Sequence, residues 1–260
     1  MQIGTRRGAS GGRRWISGDF HWCFVALLIV FAFANSTSIV SAAKCPDKPF
    51  GIVLEPTELL NVGAVKRQAL NYKCFGAYDR DVARVLADAL TYVEKRSSEV
   101  TNAALVLDID ETSLSNWDQI LANDFGYIPS GPCNTLPDGP CGVNDWELNH
   151  VAPGIAPTLA LFRAAKTKGV AIFFITGRPD TEQERSATTK NLIAVGYEGW
   201  EGLILRPQGY SSAKAYKTAQ REEIAKRFTI IANVGDQQSD LDGGYAERTY
   251  RVPNPFYYIE

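Results

Sequence analysis

The chain has 260 residues, 45% of them hydrophobic, with 27 Lys+Arg against 29 Asp+Glu and a formal net charge of −2. This length suits one α/β domain with insertions, or two small ones, and the composition is that of an ordinary globular protein. From Lys44 onward the balance is 23 basic against 28 acidic residues with no basic stripe, which argues against binding a nucleic acid polymer.

The N-terminus reads as a targeting segment. Arg6, Arg7, Arg13 and Arg14 precede the apolar run Trp22–Ala34, and small residues follow up to Ala43. Thirteen apolar residues fall short of the roughly 20 needed to span a bilayer. Residues 1–43 are therefore expected to be a secretory signal peptide, with an uncleaved anchor as the alternative. After cleavage no membrane span is expected, and the mature protein would be secreted or periplasmic. Cys23 would leave with the signal. Cys45, Cys74, Cys133 and Cys141 remain, an even number in an exported chain, which suggests two disulfides. Proximity favours Cys45–Cys74 and Cys133–Cys141 among the three possible pairings.

Residues 44–77 show no clear periodicity and are expected to form an irregular or partly helical arm. Val82, Val85, Leu86, Ala89 and Val93 recur at helical spacing, so a helix is predicted over 78–95. Ala103–Leu107 reads as a buried strand. The stretch from Ser113 to about Pro153 is aromatic and rich in Gly and Pro, and is too long for a plain loop. It is expected to be a small cap stapled by Cys133–Cys141. A helix over 157–168, a strand over 170–175, a helix over 181–195, a strand over 203–205, a helix over 211–227 and a strand over 229–234 follow. Gly169 and Gly196 would end two of these helices. Strands alternating with helices imply an α/β fold, a parallel central sheet covered on both faces.

Three strand ends carry the residues of interest. The first leads into Asp108 and Asp110, two carboxylates one residue apart. Such a pair repels itself unless a cation or a shared proton intervenes. The second ends in Thr176-Gly177-Arg178, and the fourth in Gly235-Asp236 with Asp240 beyond. In a parallel sheet these ends share one edge, where ligands bind. Hard oxygen donors of this kind suit Mg²⁺. Gly235 would allow a tight turn that aims Asp236 inward. Taken singly, each motif has a bland explanation as a turn or a helix cap; together, in this order, they point to a phosphoryl-transfer site.

The segments Leu107-Asp-Ile-Asp-Glu-Thr-Ser-Leu-Ser-Asn116, Phe174-Ile-Thr-Gly-Arg178, Gly235-Asp-Gln-Gln-Ser-Asp-Leu241 and Arg248-Thr-Tyr-Arg-Val-Pro-Asn-Pro-Phe-Tyr-Tyr258 carry a family likeness. With them, residues 75–260 resemble the haloacid dehalogenase (HAD) superfamily, in the branch of class B (plant-type) acid phosphatases and vegetative storage proteins. The resemblance implies a Rossmann-like three-layer sandwich over 44–260 with a small cap at about 113–153. It implies a Mg²⁺-dependent phosphomonoesterase that works through an aspartyl-phosphate on small phosphomonoesters. Asp108 would be the nucleophile and Asp110 the acid/base. Asp108, Asp110 (through its backbone carbonyl) and Asp236 would hold the metal. Thr176, Gly177 and a lysine would bind the phosphate, with Asp240 and Arg178 in support. The pattern of Tyr216 followed by a lysine and then Arg221 selects Lys217, with Lys214 as the fallback. A non-enzymatic storage or phosphate-binding protein, or a phosphotransferase, would use the same residues. Trp117, Phe125, Tyr127 and Trp146 would either stack on an aromatic leaving group or fill the core of the cap. His150 is expected at the surface or in the cap.

Overall fold

A computed structural model describes residues 45–51, 60–149 and 151–259. The expected signal segment and His150 lie outside the described residues. Five strands form one parallel sheet: β1 (Ala103–Leu107), β2 (Ala171–Pro179), β3 (Gly202–Arg206), β4 (Thr229–Gly235) and β5 (Ala246–Arg251). Their order is β3-β2-β1-β4-β5. The chain moves outward from β1 through β2 to β3, then crosses back to β4 on the other side of β1. The carboxyl ends of β1 and β4 thus flank the switch point, the place where open α/β sheets hold ligands.

The sheet exists because β1 is apolar on both faces. All five of its residues are buried. Leu105 and Leu107 pack with Val82, Leu86 and Val93 of α2 (Ala77–Arg96) and Leu161 and Phe162 of α5 (Ala156–Thr167). Ala104 and Val106 pack with Phe173, Ile175 and, on α7 (Ala213–Ala225), Tyr216 and Ile224. The alternation of side chains along a strand thus feeds two separate cores, one in each of the two outer layers of a three-layer sandwich.

Local signals set the helix ends. The Thr181 hydroxyl caps α6 (Glu182–Ala194) by accepting from Glu184 N at 3.1 Å, and Ser212 caps α7 by accepting from Ala215 N at 3.1 Å. Gly169 and Gly196 follow α5 and α6 with φ of +73° and +98°, conformations that favour glycine.

The N-terminal arm is partly helical, as expected: it contains α1 (Val62–Cys74), whose bounds the sequence did not mark because Ala69 is its single buried residue. Two features depart from the sequence expectation. β2 runs on to Pro179, so Thr176, Gly177 and Arg178 belong to the strand itself. β5 was not expected at all: it is a polar edge strand, mostly exposed, with no apolar run. Both expected disulfides are present, Cys45–Cys74 and Cys133–Cys141.

Between β1 and α5 lie two short helices, α3 (Trp117–Ala122) and α4 (Val143–Asn149). This insertion leaves and returns at one point. Ser115 N donates to Pro153 O at 2.9 Å, and Ile155 N donates to Ser113 O at 2.9 Å. Its disulfide loop is anchored from inside. The Asn123 amide donates to Cys141 O at 2.8 Å and accepts from Cys141 N at 2.9 Å. No helix among the described residues is long and apolar enough to cross a membrane.

Gly235 is a glycine for a reason other than a tight turn, since its φ lies outside the left-handed region. A Cβ there would lie 2.4 Å from Asp240 Cβ. The fold brings α8 (Gln238–Leu241) so close to the end of β4 that a methyl group does not fit. Gly235→Ala should therefore destabilise the protein by about 1–3 kcal/mol through overpacking. Gly177→Ala, with nothing within 4 Å of its added Cβ, should stay within about 0.5 kcal/mol. Urea denaturation midpoints of the two variants check this; equal midpoints would show that the close approach costs nothing.

Candidate active site

The carboxyl edge of the sheet opens into a cavity of about 540 Å³. Asp108, Asp110, Gly177, Arg178, Lys217, Asp236 and Asp240 all line it. β1, β2, β4, α7 and the turn into α8 each contribute. After Leu107 the chain coils tightly: Ser113 N and Leu114 N both donate to Ile109 O, at 2.7 and 2.8 Å. Ser113 Oγ closes the coil on Asp108 O at 2.6 Å. Glu111 pays for the tightness with a φ of +52°, a left-handed conformation costing a non-glycine residue about 1 kcal/mol or more.

Asp108, Asp236 and Asp240 are all buried, and a ligand oxygen from each lies within 4.8 Å of the others. Among the described residues the one cation paired with them is Lys217, also buried. Its ammonium binds Asp108 Oδ1 and, at 2.6 Å, Asp240 Oδ1. Lys214 instead pairs with Asp242 at 2.9 Å on the exposed side of α7, so Lys217 is the lysine the fold brings to the site. Burial works against the Lys217 charge, but Asp108 and Asp240 outweigh it and hold its pKa above the usual lysine range. Arg221, one turn further along α7, keeps α8 in place by donating to the carbonyls of Asp240 and Asp242.

The oxygens differ in what remains free. Asp240 Oδ1 holds Lys217, and Asp240 Oδ2 accepts from Gln237 N at 2.8 Å. Asp236 Oδ2 accepts two amides, from Gln237 at 2.6 Å and Asn254 at 2.7 Å. Asp236 Oδ1 receives only the longer bond from Thr112, at 3.2 Å. No described residue donates to Asp108 Oδ2. Asp108 and Asp236 thus each keep one oxygen for a ligand, whereas Asp240 is committed to positioning. Three buried carboxylates against one ammonium leave two negative charges, which a divalent cation would neutralise. Burial and the neighbouring carboxylates raise the Asp108 pKa well above its ordinary value, against the pull of Lys217. Burial, then the Asp240 charge, raises Asp236 to about 6.

Asp110 sits in a different electrostatic setting. Arg178 grips it in a fork, Nη2 to Oδ1 at 2.7 Å and Nε to Oδ2 at 3.1 Å. Asn116 adds a third donor at 3.0 Å. Burial opposes its charge, but the Arg178 guanidinium wins, and the pKa falls below the usual aspartate value. Glu147 from α4 lies 3.9 Å from Arg178. Burial first, then Asp110, pushes Glu147 up to about 8, so it is largely neutral at pH 7.

Thr176 is buried behind Gly177 and does not line the cavity. Its hydroxyl accepts from Arg178 N at 3.2 Å, which leaves its proton to donate. The four cap aromatics divide. Trp117 and Trp146 are buried, and Trp146 Nε1 donates to Asn116 at 2.8 Å. Phe125 and Tyr127 line the cavity, with Tyr127 77% exposed. Ser239 Oγ, on the cavity wall, is buried without a hydrogen-bond partner, a place for a ligand oxygen.

Sequence reasoning assigned no role to Glu111, Asn116, Glu147, Gln237, Asn254 or Tyr257. All but Glu147 lie inside the segments that carry the family likeness, so the signal was there without a chemistry attached.

Comparison with known proteins agrees with this picture. The family model described as "HAD superfamily, subfamily IIIB (Acid phosphatase)" matches residues 53–260. A stem 28 kDa glycoprotein from Glycine max is 37% identical over 60% of this chain and 59% of its own. Acid phosphatase 1 from Solanum lycopersicum is 34% identical over 59% of this chain and 58% of its own. The chain thus spans less than two thirds of the length of these relatives. A class C acid phosphatase from Bacillus anthracis, solved with tungstate bound, superposes with a TM-score of 0.58 at 21% identity. That match covers 75% of this chain and 86% of the other, and shows a shared fold.

The raised Asp236 has a consequence for stability. With a folded pKa of about 6 against 3.8 unfolded, the native state keeps a proton that the unfolded chain has lost. Asp236 alone should therefore cost the metal-free protein roughly 3 kcal/mol of stability as pH rises from about 4 to 6. Added Mg²⁺ should restore most of this above pH ~6 and little below pH ~4. Urea unfolding across this range, with chelator and with Mg²⁺, checks it, and Asp236→Asn should make the chelator curve shallower, the buried Asp108 keeping the rest of the slope. A metal effect independent of pH would sink the assignment.

Proposed function

The chain belongs to subfamily IIIB of the HAD superfamily, the acid phosphatases, and from that premise we propose that it is an exported, Mg²⁺-dependent phosphomonoesterase acting through a phospho-aspartate. The observation that carries this reading is the state of Asp108. It lines the cavity at the sheet edge, with one oxygen locked to Lys217 and the other accepting from no described residue.

Asp108 Oδ2 attacks the phosphorus of the bound ester. The P–O bond to the leaving alcohol breaks as the bond to Asp108 forms. Asp110 gives its proton to the departing oxygen. It then takes a proton from water, which attacks the aspartyl-phosphate and releases inorganic phosphate and free Asp108. A carboxylate nucleophile divides one difficult displacement into two easier ones. Asp110 must be protonated for the first step although Arg178 favours its charged form. The arriving phosphate dianion supplies the opposite push, because a nearby negative charge raises a carboxyl pKa.

Asp108, the Asp110 carbonyl and Asp236 would hold Mg²⁺, consistent with their all-oxygen donor set. The ion would offset the repulsion between carboxylate and phosphate dianion. Lys217 does the same from the protein side, and Asp240 holds Lys217 in place. Gly177 lets the phosphate approach the β2 backbone without a side chain between, and Thr176, which is not on the cavity wall, would give its hydroxyl proton to a phosphate oxygen only once the phosphate is seated against that backbone. We read residues 113–153 as the cap that covers the leaving group. A cavity of this size, acidic in its lining and partly walled by Phe125 and Tyr127, suits a small phosphomonoester. The two disulfides fit an oxidising compartment, which supports export.

Phosphate release from p-nitrophenyl phosphate tests the reading. Release should require a divalent ion, stop in chelator and fall at least about 1,000-fold in Asp108→Asn. Acid quenching with labelled substrate should trap phosphate on the wild-type chain only. Phosphate binding without turnover would establish the storage reading instead, and transfer to added alcohols in preference to water would make the protein a phosphotransferase. Undiminished release by Asp108→Asn would remove the nucleophile from the mechanism.

A further inference from the structure

The C-terminal tail carries the family likeness, yet the reaction above assigns it nothing. After β5 it does not leave the molecule. Val252 N donates to Gly235 O at 3.0 Å, and Arg251 Nε donates to Asp236 O at 3.2 Å. The chain then crosses the carboxyl edge of the sheet. Phe256 inserts between Tyr78 and Trp117, with ring centroids 5.3 and 5.1 Å away. Tyr257 donates to Glu111 at 3.0 Å.

Asn254 is held on every side. Pro253 and Pro255 flank it, fixing their own φ, and a residue before proline is confined to extended backbone. Its Oδ1 accepts from Phe256 N at 2.9 Å, which leaves its amide group one orientation. In that orientation Nδ2 donates to Asp236 Oδ2 at 2.7 Å. Gln237, the other donor to this oxygen, is itself gripped by the tail: its Oε1 accepts from Ile259 N at 3.1 Å. Asn254 thus takes its orientation from the tail alone, whereas Gln237 is held both by the tail and by its capping contact with Asp240 N.

We propose that the tail is a positioning strap for the metal-binding carboxylate, with Asn254 as its working residue. By occupying Oδ2, Asn254 turns Oδ1 of Asp236 toward the ion. The inference rests on the assignment of Asp236 as a metal ligand. Partners one step removed from a metal usually matter about 10–100-fold in affinity. Asn254 touches neither substrate nor reacting atoms, so its effect should lie in metal dependence and not in chemistry.

Calorimetric titration of the metal-stripped full chain with Mn²⁺ or Mg²⁺ measures this directly. Asn254→Ala should bind the ion about 10–100-fold more weakly. Asn254→Ser should do the same, and its hydroxyl can still accept from Phe256 N, so the local turn survives if the alanine variant misfolds. Tyr257→Phe removes a different hydrogen bond of the tail and should change metal affinity less than about twofold. At saturating metal, Asn254→Ser should regain a kcat close to wild type while needing more metal to reach it. Metal affinity within twofold of wild type in Asn254→Ser would overturn the strap. An equal loss in Tyr257→Phe would overturn Asn254 as its working residue. Wild-type protein that binds no divalent ion would instead refute the metal reading, before the strap is tested.

Discussion

Lys217 is the interaction on which the rest of the site depends. Three carboxylates are buried at one sheet edge, where the charge of each is costly and each repels the others. The ammonium between Asp108 and Asp240 offsets part of that cost and fixes the direction of both side chains. Its own position follows from packing. Tyr216, the preceding residue on α7, is fully buried and donates to Ile204 O at 3.0 Å, and Arg221 one turn on ties α7 to α8. The glycine before Asp236 completes the geometry, because only a residue without a Cβ lets α8 approach β4 closely enough for Asp240 to reach Lys217.

The same strand end gives two aspartates opposite electrostatic settings. Asp108 is buried, shares its cation with Asp240 and faces other carboxylates, so its pKa rises, burial counting most. Asp110, two residues on, has the undivided fork of Arg178 and an amide from Asn116, so its pKa falls. Neighbouring titratable groups pushed apart in this way can hold different roles in one reaction. Arg178 in turn is buried among Asp110, Glu147 and Glu184. Only one of these carboxylates needs to be charged to balance it. Burial pushes both glutamates up while the Arg178 fork holds Asp110 down, so Asp110 is the carboxylate that most favours the charged form beside it.

Much of this was legible in the sequence because the central strands are apolar on both faces and end abruptly in polar residues. Ala103–Leu107 followed by Asp108, and Thr229–Val234 followed by Gly235-Asp236, announce strand ends with no tertiary information. β5 and α1 were not legible in that way. β5 is an edge strand whose residues are mostly exposed, and α1 buries a single alanine, so neither has a hydrophobic period. The partners of the site escaped for a related reason. A hydrogen bond from Asn254 to Asp236 spans 18 positions, and Tyr257 to Glu111 spans 146, and no local pattern encodes such contacts. Lys217 was preferred through the family pattern of Tyr216, a lysine and Arg221, although helical spacing alone would have admitted Lys214.

The strap completes the charge argument. A phosphate dianion entering a site that already carries a surplus of two negative charges meets repulsion that Lys217 alone cannot cancel. On the proposed reading a divalent ion supplies the missing charge, and such an ion needs carboxylate oxygens that are both free and correctly aimed. Burial frees them from water but does not aim them, since a carboxylate with two equivalent oxygens can turn either one inward. Occupying one oxygen with a fixed hydrogen-bond donor breaks that equivalence. For Asp108 the donor is the Lys217 ammonium, and for Asp236 it is the amide pair of Asn254 and Gln237, both of which the tail touches. The chain thus spends its last residues on a constraint its sheet cannot supply, because a parallel strand delivers its terminal side chain to the edge but leaves that side chain free to rotate.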